Sequence, residues 1–286
     1  MAGTERAAVL LTGASGRVGR MVVHHWPRGR VAVTAQYRRD VAAGALVWDP
    51  AEGPRALLEH QARAGAAFRA MVMLAGVVPG AGRDLSRNRA IAEATLEAAA
   101  RAGIARVLLA SSSAVYGPGE DLGEDAPCAP VNDYGAAKLE VEATGRAWRD
   151  RGLEVCALRI GNVAGADALL LNVARGERAI TLDIFADGEG PLRSYIGPRS
   201  MAEALEALVL HEGPLPAVLN LAAPFPVTMA ALARAAGAAI RPRPAPATAH
   251  QRITLDCARL AALHRFRPAD SDPVEMVRQW QEARAA

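Results

Sequence analysis

The sequence predicts an α/β protein built on a doubly wound parallel sheet, with a smaller C-terminal substrate-binding domain. Over the first 165 residues, short β-branched runs alternate with longer segments of helical periodicity, which is typical of strand-helix-strand units. A turn containing three glycines follows the first apolar run. Beyond about residue 164 the pattern loosens, and turn sequences such as "DGEGP" and "HEGPLP" occur. We therefore assign 1–164, with a contribution from about 198–223, to the sheet domain, and 165–197 with 224–286 to the smaller domain.

The individual elements follow from periodicity and from helix and turn signals. Five strands are predicted near 7–12, 31–37, 70–74, 106–111 and 155–160, with helices between them. The segment 88–103, "NRAIAEATLEAAARAG", has apolar residues at helical spacing and ends on a glycine suited to a helix C-cap. Another helix is predicted over about 134–151, and "RPRPAPA" at 241–247 is predicted to be an extended connector.

The segment "LLTGASGRVGR", residues 10–20, places three glycines between the first strand and the first helix. Gly13 permits a tight turn, Gly16 lets the backbone approach a phosphate, and Gly19 allows close contact between helix and strand. The amides and dipole at the helix N-terminus attract a pyrophosphate. The turn therefore predicts a Rossmann-type dinucleotide site whose cofactor-binding residues include Gly13, Ser15, Gly16, Arg17, Val18 and Gly19.

The end of the second strand bears on which dinucleotide is bound. An acidic residue there usually holds the adenosine ribose of NAD, whereas an arginine favours the 2′-phosphate of NADP. The strand reads "VAVTAQYRRD", with Arg38 and Arg39 before the first carboxylate, Asp40. We expect NADP in preference to NAD, the alternative being that these arginines are solvated surface residues. Asp49 either accepts from the adenine amino group or is a turn aspartate beside Pro50.

A tyrosine and a lysine form the predicted chemical centre. Of 33 Lys and Arg residues only Lys138 is a lysine, and Tyr134 lies four residues before it, on the same helix face. A neighbouring ammonium favours the phenolate form of a tyrosine, so we expect Lys138 to lower the pKa of Tyr134. An ammonium also donates to ribose hydroxyls, and a serine hydroxyl from 111–113 is placed to hydrogen-bond a substrate oxygen. This set suits hydride transfer, with Tyr134 exchanging the hydroxyl proton.

Four segments, "TGASGRVG", "SSSAVYG", "YGAAK" and "LRIGNVAG", resemble in their order the extended short-chain dehydrogenase/reductase superfamily, within it the NAD-dependent epimerase/dehydratase family. "LSRN", which contains Asn88, and "RSYIGPRSMAEA" add to the likeness, which covers the whole chain. The resemblance implies that Ser112, Tyr134 and Lys138 are catalytic. It also implies that Tyr134, Lys138, Ala75 and Gly76 contact the cofactor and that Ser113, Asn162 and Arg193 face the substrate. For Asn162 the alternative is a turn residue after the fifth strand.

Departures from the family pattern narrow the set of reactions that we expect of this chain. Sugar-nucleotide dehydratases of the family carry an Asp-Glu pair where this chain has Ser113 and Ala114, so dehydration is disfavoured. We expect an NAD(P)-dependent oxidoreductase acting on a secondary alcohol or ketone of a sugar or sugar nucleotide. The alternative within the same chemistry is a 4-epimerase that retains NAD. The alternative from another class is a non-catalytic dinucleotide sensor, which is disfavoured because such proteins tend to lose the tyrosine or the lysine.

Composition excludes other classes of partner. A net charge of +3 comes from scattered arginines without an aromatic-basic stripe, so we expect no nucleic-acid partner. No apolar run is long enough for a membrane span and residues 1–20 do not resemble a secretory signal, so a cytoplasmic location is expected. Three cysteines lack paired or metal-type spacing, so we expect free thiols and no metal. Family resemblance implies a homodimer through the helices at 88–103 and 134–151.

Overall fold

The computed structural model describes residues 7–26, 30–39, 45–65 and 67–285. Asp40 lies outside these ranges, as do residues 1–6 and 286 of the predicted domains. Within them, no helix combines the length and apolar character that crossing a membrane requires.

Strands and helices of the described residues are numbered in chain order. The strands are β1 (Ala7–Thr12), β2 (Val31–Tyr37), β3 (Leu46–Val47), β4 (Ala70–Met73), β5 (Arg106–Ser112), β6 (Gly119–Leu122), β7 (Glu154–Ile160), β8 (Asn162–Val163), β9 (Ala179–Ile184), β10 (Leu192–Arg193), β11 (Tyr195–Ile196), β12 (Val218–Leu221), β13 (Val227–Thr228), β14 (Ala239–Pro244) and β15 (Arg252–Leu255). The helices are α1 (Arg17–His25), α2 (Arg55–Ala64), α3 (Arg87–Arg101), α4 (Asp133–Asp150), α5 (Ala168–Ala174), α6 (Pro198–Leu210), α7 (Met229–Ala235), α8 (Ala258–Leu263) and α9 (Pro273–Ala285).

The central sheet is parallel and confirms the predicted fold class. In the described chain seven strands run in the order β12-β7-β5-β4-β1-β2-β3, and each neighbouring pair is parallel. The chain builds outward from β1 in one direction through β2 and β3, then returns to build from β4 in the other. In open parallel sheets, ligands bind outside the carboxyl ends of the strands where the order reverses. The reversal lies between β1 and β4, which directs attention to the residues after Thr12 and Met73.

Both faces of the sheet are buried, which explains the near-continuous apolar character of its strands. Successive residues of β1 point to opposite faces, so Val9 and Leu11 join one core while Leu10 joins the other. The first core includes residues of α1, α6 and α9. The second core includes residues of α2, α3 and α4. Helices on both faces hold the strand ends, and the loops that follow them, in fixed positions.

Smaller sheets form the remainder of the molecule. Strands β13, β10, β15 and β6 make one sheet, and β8 with β11 and β9 with β14 make two pairs. Strand β6 lies within 1–164 yet pairs with β15, so the two predicted regions interleave. The prediction of an extended connector at 241–247 is corrected in part. The first residues of this segment belong to β14 and pair with β9. Prolines are tolerated there because β14 is an edge strand.

Candidate functional site

The glycine turn joins β1 to α1 under tight steric constraint. Gly13 has φ +77°, and a Cβ atom added to it would lie 2.5 Å from the backbone nitrogen of Ala75. A Cβ on Gly19 would lie 2.2 Å from the carbonyl oxygen of Gly13. At Gly16, the residue that caps α1, the nearest atom would be 3.1 Å away. Only glycine therefore allows the turn to pack against the loop after β4 and against its own helix.

A cleft of about 610 Å³ opens beside this turn, where the strand order reverses. We call it the glycine-turn cleft. Its lining comes from the turn itself, the ends of β2 and β4, the segment after β3, and the start of α3. Of the predicted cofactor residues it is lined by Gly13, Ser15, Gly16, Arg38, Asp49, Ala75 and Gly76. Asp49 also accepts a hydrogen bond from the Ala51 amide at 3.0 Å, as a turn aspartate does.

Tyr134 and Lys138, described below, are not among the residues lining this cleft, and neither are four other predicted cofactor residues. Arg17 is exposed and donates to the Ala166 carbonyl at 3.1 Å. Val18 packs against the core, and Gly19 is buried inside the turn. Arg39 is exposed. The predicted contact of these four residues with a cofactor therefore has no support in the cleft geometry.

Two polar residues that the sequence analysis did not assign to the site hold this end of it in place. The Oε1 atom of Gln36, which is 3% exposed, accepts from the Gly13 amide at 3.0 Å, and its Nε2 atom donates to the Trp48 carbonyl. Asn88 accepts from the Val77 amide at 2.8 Å and donates back to the Val77 carbonyl at 2.9 Å. Gln36 was detectable as a polar residue in an otherwise apolar strand, and Asn88 only through family resemblance.

Ser112, Tyr134 and Lys138 come together where β5 meets α4. Asn132 caps α4 by accepting from the Gly135 amide at 2.9 Å, which fixes the first turn and with it Tyr134. Lys138 is 5% exposed, and its Nζ donates to the Ala110 carbonyl at 2.9 Å and lies 5.8 Å from the centre of the Tyr134 ring. A Cβ placed on Gly76 would be 3.5 Å from the same Nζ. Lys138 therefore lies at the Gly76 edge of the glycine-turn cleft.

The protonation of this group differs from the prediction. Burial raises the pKa of the Tyr134 phenol, and a hydrogen bond with Ser112 opposes that effect without overcoming it. The expectation of a lowered Tyr134 pKa is thus wrong for this structure, because burial outweighs the effects that favour the phenolate. Burial also lowers the pKa of Lys138 to about 8, although the carboxylate of Glu142 raises it. At pH 7 the pair therefore consists of a neutral phenol and an ammonium ion.

A buried ion pair supports Lys138 from the next turn of α4. The side chain of Glu142 is fully buried, and its two oxygens accept from Arg159 at 3.0 Å and 2.9 Å. The hydroxyl of Ser111 donates to the same carboxylate at 2.6 Å. The Glu142–Arg159 pair was not predicted from the sequence, although the four-residue spacing of Lys138 and Glu142 indicates that these two side chains share one helix face.

The predicted substrate residues make contacts with the backbone. Ser113 begins a short 3₁₀ helix, Ser113–Val115, directly after Ser112. The side-chain amide of Asn162 donates to the Ser194 carbonyl at 3.3 Å. The Arg193 guanidinium donates to the carbonyls of Leu192, Gln251 and His250 at 2.7–2.8 Å, and burial lowers its pKa. These bonds give Asn162 and Arg193 structural roles in joining the smaller sheets.

The parallel sheet, with its glycine turn at the reversal of strand order, places the protein in the class of Rossmann-type α/β proteins. Within that class, the chain belongs to the NAD dependent epimerase/dehydratase family, whose model matches residues 9–222.

Two curated relatives are similar over part of the chain. A UDP-glucose 4-epimerase of Azospirillum brasilense is 35% identical over 176 residues, which cover 56% of this chain and 50% of that protein. A 2′-dehydrokanamycin reductase of Streptomyces kanamyceticus is 35% identical over 167 residues, 56% of this chain and 44% of that protein. The chain thus spans about half the length of the curated relatives it matches.

Solved structures show the same fold over nearly the whole chain. A short-chain dehydrogenase/reductase superfamily protein of Agrobacterium tumefaciens with bound NAD has a TM-score of 0.77 at 22% identity, covering 97% of each chain. A UDP-glucose-4-epimerase of Stenotrophomonas maltophila with bound NAD and formylated UDP-arabinopyranose has a TM-score of 0.78 at 20% identity, covering 98% of each.

The buried ammonium leads to a prediction about stability. We expect Lys138→Met to raise the free energy of unfolding at pH 7 by about 2 kcal/mol, because the wild-type protein holds an ammonium in a site that disfavours its charge. The pKa of Lys138 falls from 10.5 to about 8 on folding. The unfolded chain therefore binds this proton more tightly, so the cost is fully present below pH 8 and is relieved as the pH rises toward 10.5.

Urea unfolding of both proteins at pH 7 and pH 9.5 measures the effect. The advantage of Lys138→Met should shrink at the higher pH. A variant that is less stable than wild type by the same amount at both pH values would show that the ammonium is well accommodated.

Proposed function

We propose that this chain is an NAD(P)-dependent oxidoreductase that exchanges a hydride at a secondary alcohol or ketone of a sugar or sugar-nucleotide-like substrate. The observation that carries the proposal is the position of Lys138. Its ammonium lies at the Gly76 edge of the glycine-turn cleft, and Tyr134 precedes it by one helical turn. The cleft and an acid-base group are thereby joined at one edge.

The residues of the cleft fit a dinucleotide. The turn at Gly13 and Gly16 presents bare backbone at the N-terminus of α1, where an anionic pyrophosphate is favoured. Lys138 would hold ribose hydroxyls from its edge of the cleft, and Ala75 and Gly76 would line the path between the two ends. Bound there, the nicotinamide group supplies the hydride exchange with a substrate carbon.

Tyr134 acts as the acid-base group. Its raised pKa keeps the phenol protonated at neutral pH, so it donates a proton to a substrate carbonyl oxygen during reduction. The ammonium of Lys138 stabilises the phenolate that this transfer leaves behind. Ser112, which hydrogen-bonds the phenol, orients the same substrate oxygen. The reverse sequence oxidises an alcohol.

A 4-epimerase is the second candidate, since two similar curated relatives are UDP-glucose 4-epimerases. Such an enzyme uses the same proton and hydride transfers but keeps its cofactor throughout. The non-catalytic sensor is the weaker alternative, because the chain retains both Tyr134 and Lys138. We further propose a homodimer through α3 and α4, where α4 carries exposed alanines at Ala136 and Ala143.

The test combines a cofactor assay with a substrate panel. Purified full-length protein is denatured to detect any retained NAD, and separate samples are mixed with NADPH or NADH and a panel of keto-sugars and nucleotide sugars. We expect stoichiometric oxidation of an added reduced cofactor by at least one ketone. Retained NAD with interconversion of 4-epimers would support the second candidate instead. Absence of both activities, with dinucleotide binding intact, would support the sensor.

A further inference from the structure

Three arginines from three different segments line the glycine-turn cleft. Arg38 follows β2, Arg83 lies in the loop before α3, and Arg87 is the first residue of α3. All three side chains are exposed. Among the described residues, no carboxylate oxygen lies within 4.0 Å of any of their guanidinium nitrogens. Of the three, only Arg38 was predicted from the sequence to contact a cofactor.

Other arginines of the same helix contrast with Arg87. Arg89 pairs with Glu140 at 3.7 Å, and Arg101 pairs with Glu97 at 2.8 Å. Neither of these two lines the cleft. On this helix, therefore, the arginine that faces the cleft is the one without a carboxylate partner among the described residues.

The acidic groups that line the cleft are already engaged. Asp49 accepts from the Ala51 amide, and Asp84 accepts from both the amide and the hydroxyl of Ser86. The residue at the end of β2 that faces the cleft is Gln36, whose amide group bonds to Gly13 and Trp48. The described lining thus offers more cationic than anionic groups to the adenosine half of a dinucleotide.

The loop before α3 positions Arg83 by means of two glycines. Gly82 has φ +67°, a backbone conformation that other residues rarely adopt. The Cδ and Nε atoms of Arg83 lie so near Gly80 that a Cβ atom there would be 3.1 Å from each. The side chain of Arg83 therefore folds back over its own loop, into a position that a larger residue at 80 would disturb.

We propose that Arg83 and Arg87, together with Arg38, bind the 2′-phosphate of NADP, so that the loop before α3 determines cofactor specificity along with the end of β2. This inference rests on the proposed function. A phosphate monoester carries close to two negative charges and accepts paired hydrogen bonds, which planar guanidinium groups donate. The 2′-hydroxyl of NAD carries no such charge, so three nearby cations add little to the affinity for NAD.

Binding measurements on the full-length protein test the inference. Isothermal titration calorimetry gives Kd for NADP⁺ and NAD⁺, and for the fragments 2′,5′-ADP and 5′-AMP, which differ only in the 2′-phosphate. We expect Arg83→Ala and Arg87→Ala each to weaken NADP⁺ binding by about 5- to 20-fold and to leave NAD⁺ binding within about twofold. The fragments should show the same pattern. Arg89→Ala and Arg101→Ala, which remove exposed arginines of α3 that do not line the cleft, should change neither affinity.

Three outcomes contradict the inference, and they differ in whether they also contradict the proposed function. Equal weakening of NADP⁺ and NAD⁺ binding would show that Arg83 and Arg87 contact a shared part of the dinucleotides. A wild-type protein that binds NAD⁺ more tightly than NADP⁺ would overturn the inference while the proposed function stands. Failure to bind either dinucleotide would overturn both.

Discussion

Tyr134→Phe is expected to lower kcat by about 10³-fold, because it removes the hydroxyl that exchanges a proton with the substrate oxygen. The change leaves the aromatic ring in place beside Lys138, whose Nζ lies 5.8 Å from the ring centre. Dinucleotide affinity should therefore change by no more than about twofold, since the pyrophosphate and adenosine contacts are untouched. Steady-state turnover and dinucleotide titration on the same preparation measure the two effects.

Tyr116→Phe is the matched control for this variant. Tyr116 is also a buried tyrosine, its hydroxyl donates to Asn220 Oδ1 at 2.8 Å, and it is not among the residues that line the cleft. Losing that bond should lower the free energy of unfolding by about 1 kcal/mol and leave turnover nearly unchanged. Equal turnover in wild type and Tyr134→Phe would show that the phenol takes no part in the proton transfer.

The second large effect concerns stability. Glu142→Gln is expected to lower the free energy of unfolding by about 3 kcal/mol, because it leaves the guanidinium of Arg159 buried without its counter-charge. The Glu142 side chain is fully buried and that of Arg159 is 5% exposed. Replacing both partners, as in Glu142→Leu with Arg159→Met, removes the uncompensated charge and should recover part of the loss.

The matched control for Glu142→Gln lies on the same helix. Glu140 pairs with Arg89 at 3.7 Å, and these side chains are 60% and 70% exposed. Glu140→Gln should change stability by less than about 0.5 kcal/mol, since exposed ion pairs are screened by water. Urea unfolding of all these variants gives the comparison. Equal losses for Glu142→Gln and Glu140→Gln would show that burial does not govern the strength of the pair.

The large elements were predictable because their patterns are local. The five predicted strands match β1, β2, β4, β5 and β7 to within one residue at each end, since β-branched and apolar runs mark them directly. The helices at 88–103 and 134–151 match α3 and α4 to within two residues. The two-residue strands, β3, β8, β10, β11 and β13, are too short for any periodicity to mark. Pairing of β14 with β9 depends on a partner about 60 residues away, which the proline-rich segment itself does not reveal.

The residues of the candidate site were likewise predictable only where their signals are local in the sequence. The glycine turn and the Tyr134–Lys138 spacing are local signals, and the structure brings them to adjoining edges of one cleft. Gln36 and Glu142 were not assigned, because their partners come from segments that only the sheet topology brings near. Arg87 was not assigned, because the other residues that line its cleft come from such distant segments as well. The pKa of Tyr134 was predicted in the wrong direction, because its burial was not deducible from the residue spacing.

A crystal structure of the protein in complex with NADP⁺ tests the central claim most directly. The account predicts the pyrophosphate at the Gly13–Gly16 turn, the ribose on the nicotinamide side within hydrogen-bonding distance of Lys138 Nζ, and the Tyr134 hydroxyl facing the nicotinamide ring. A nicotinamide ring that lies away from Tyr134, with Lys138 making no contact to the cofactor, would contradict it.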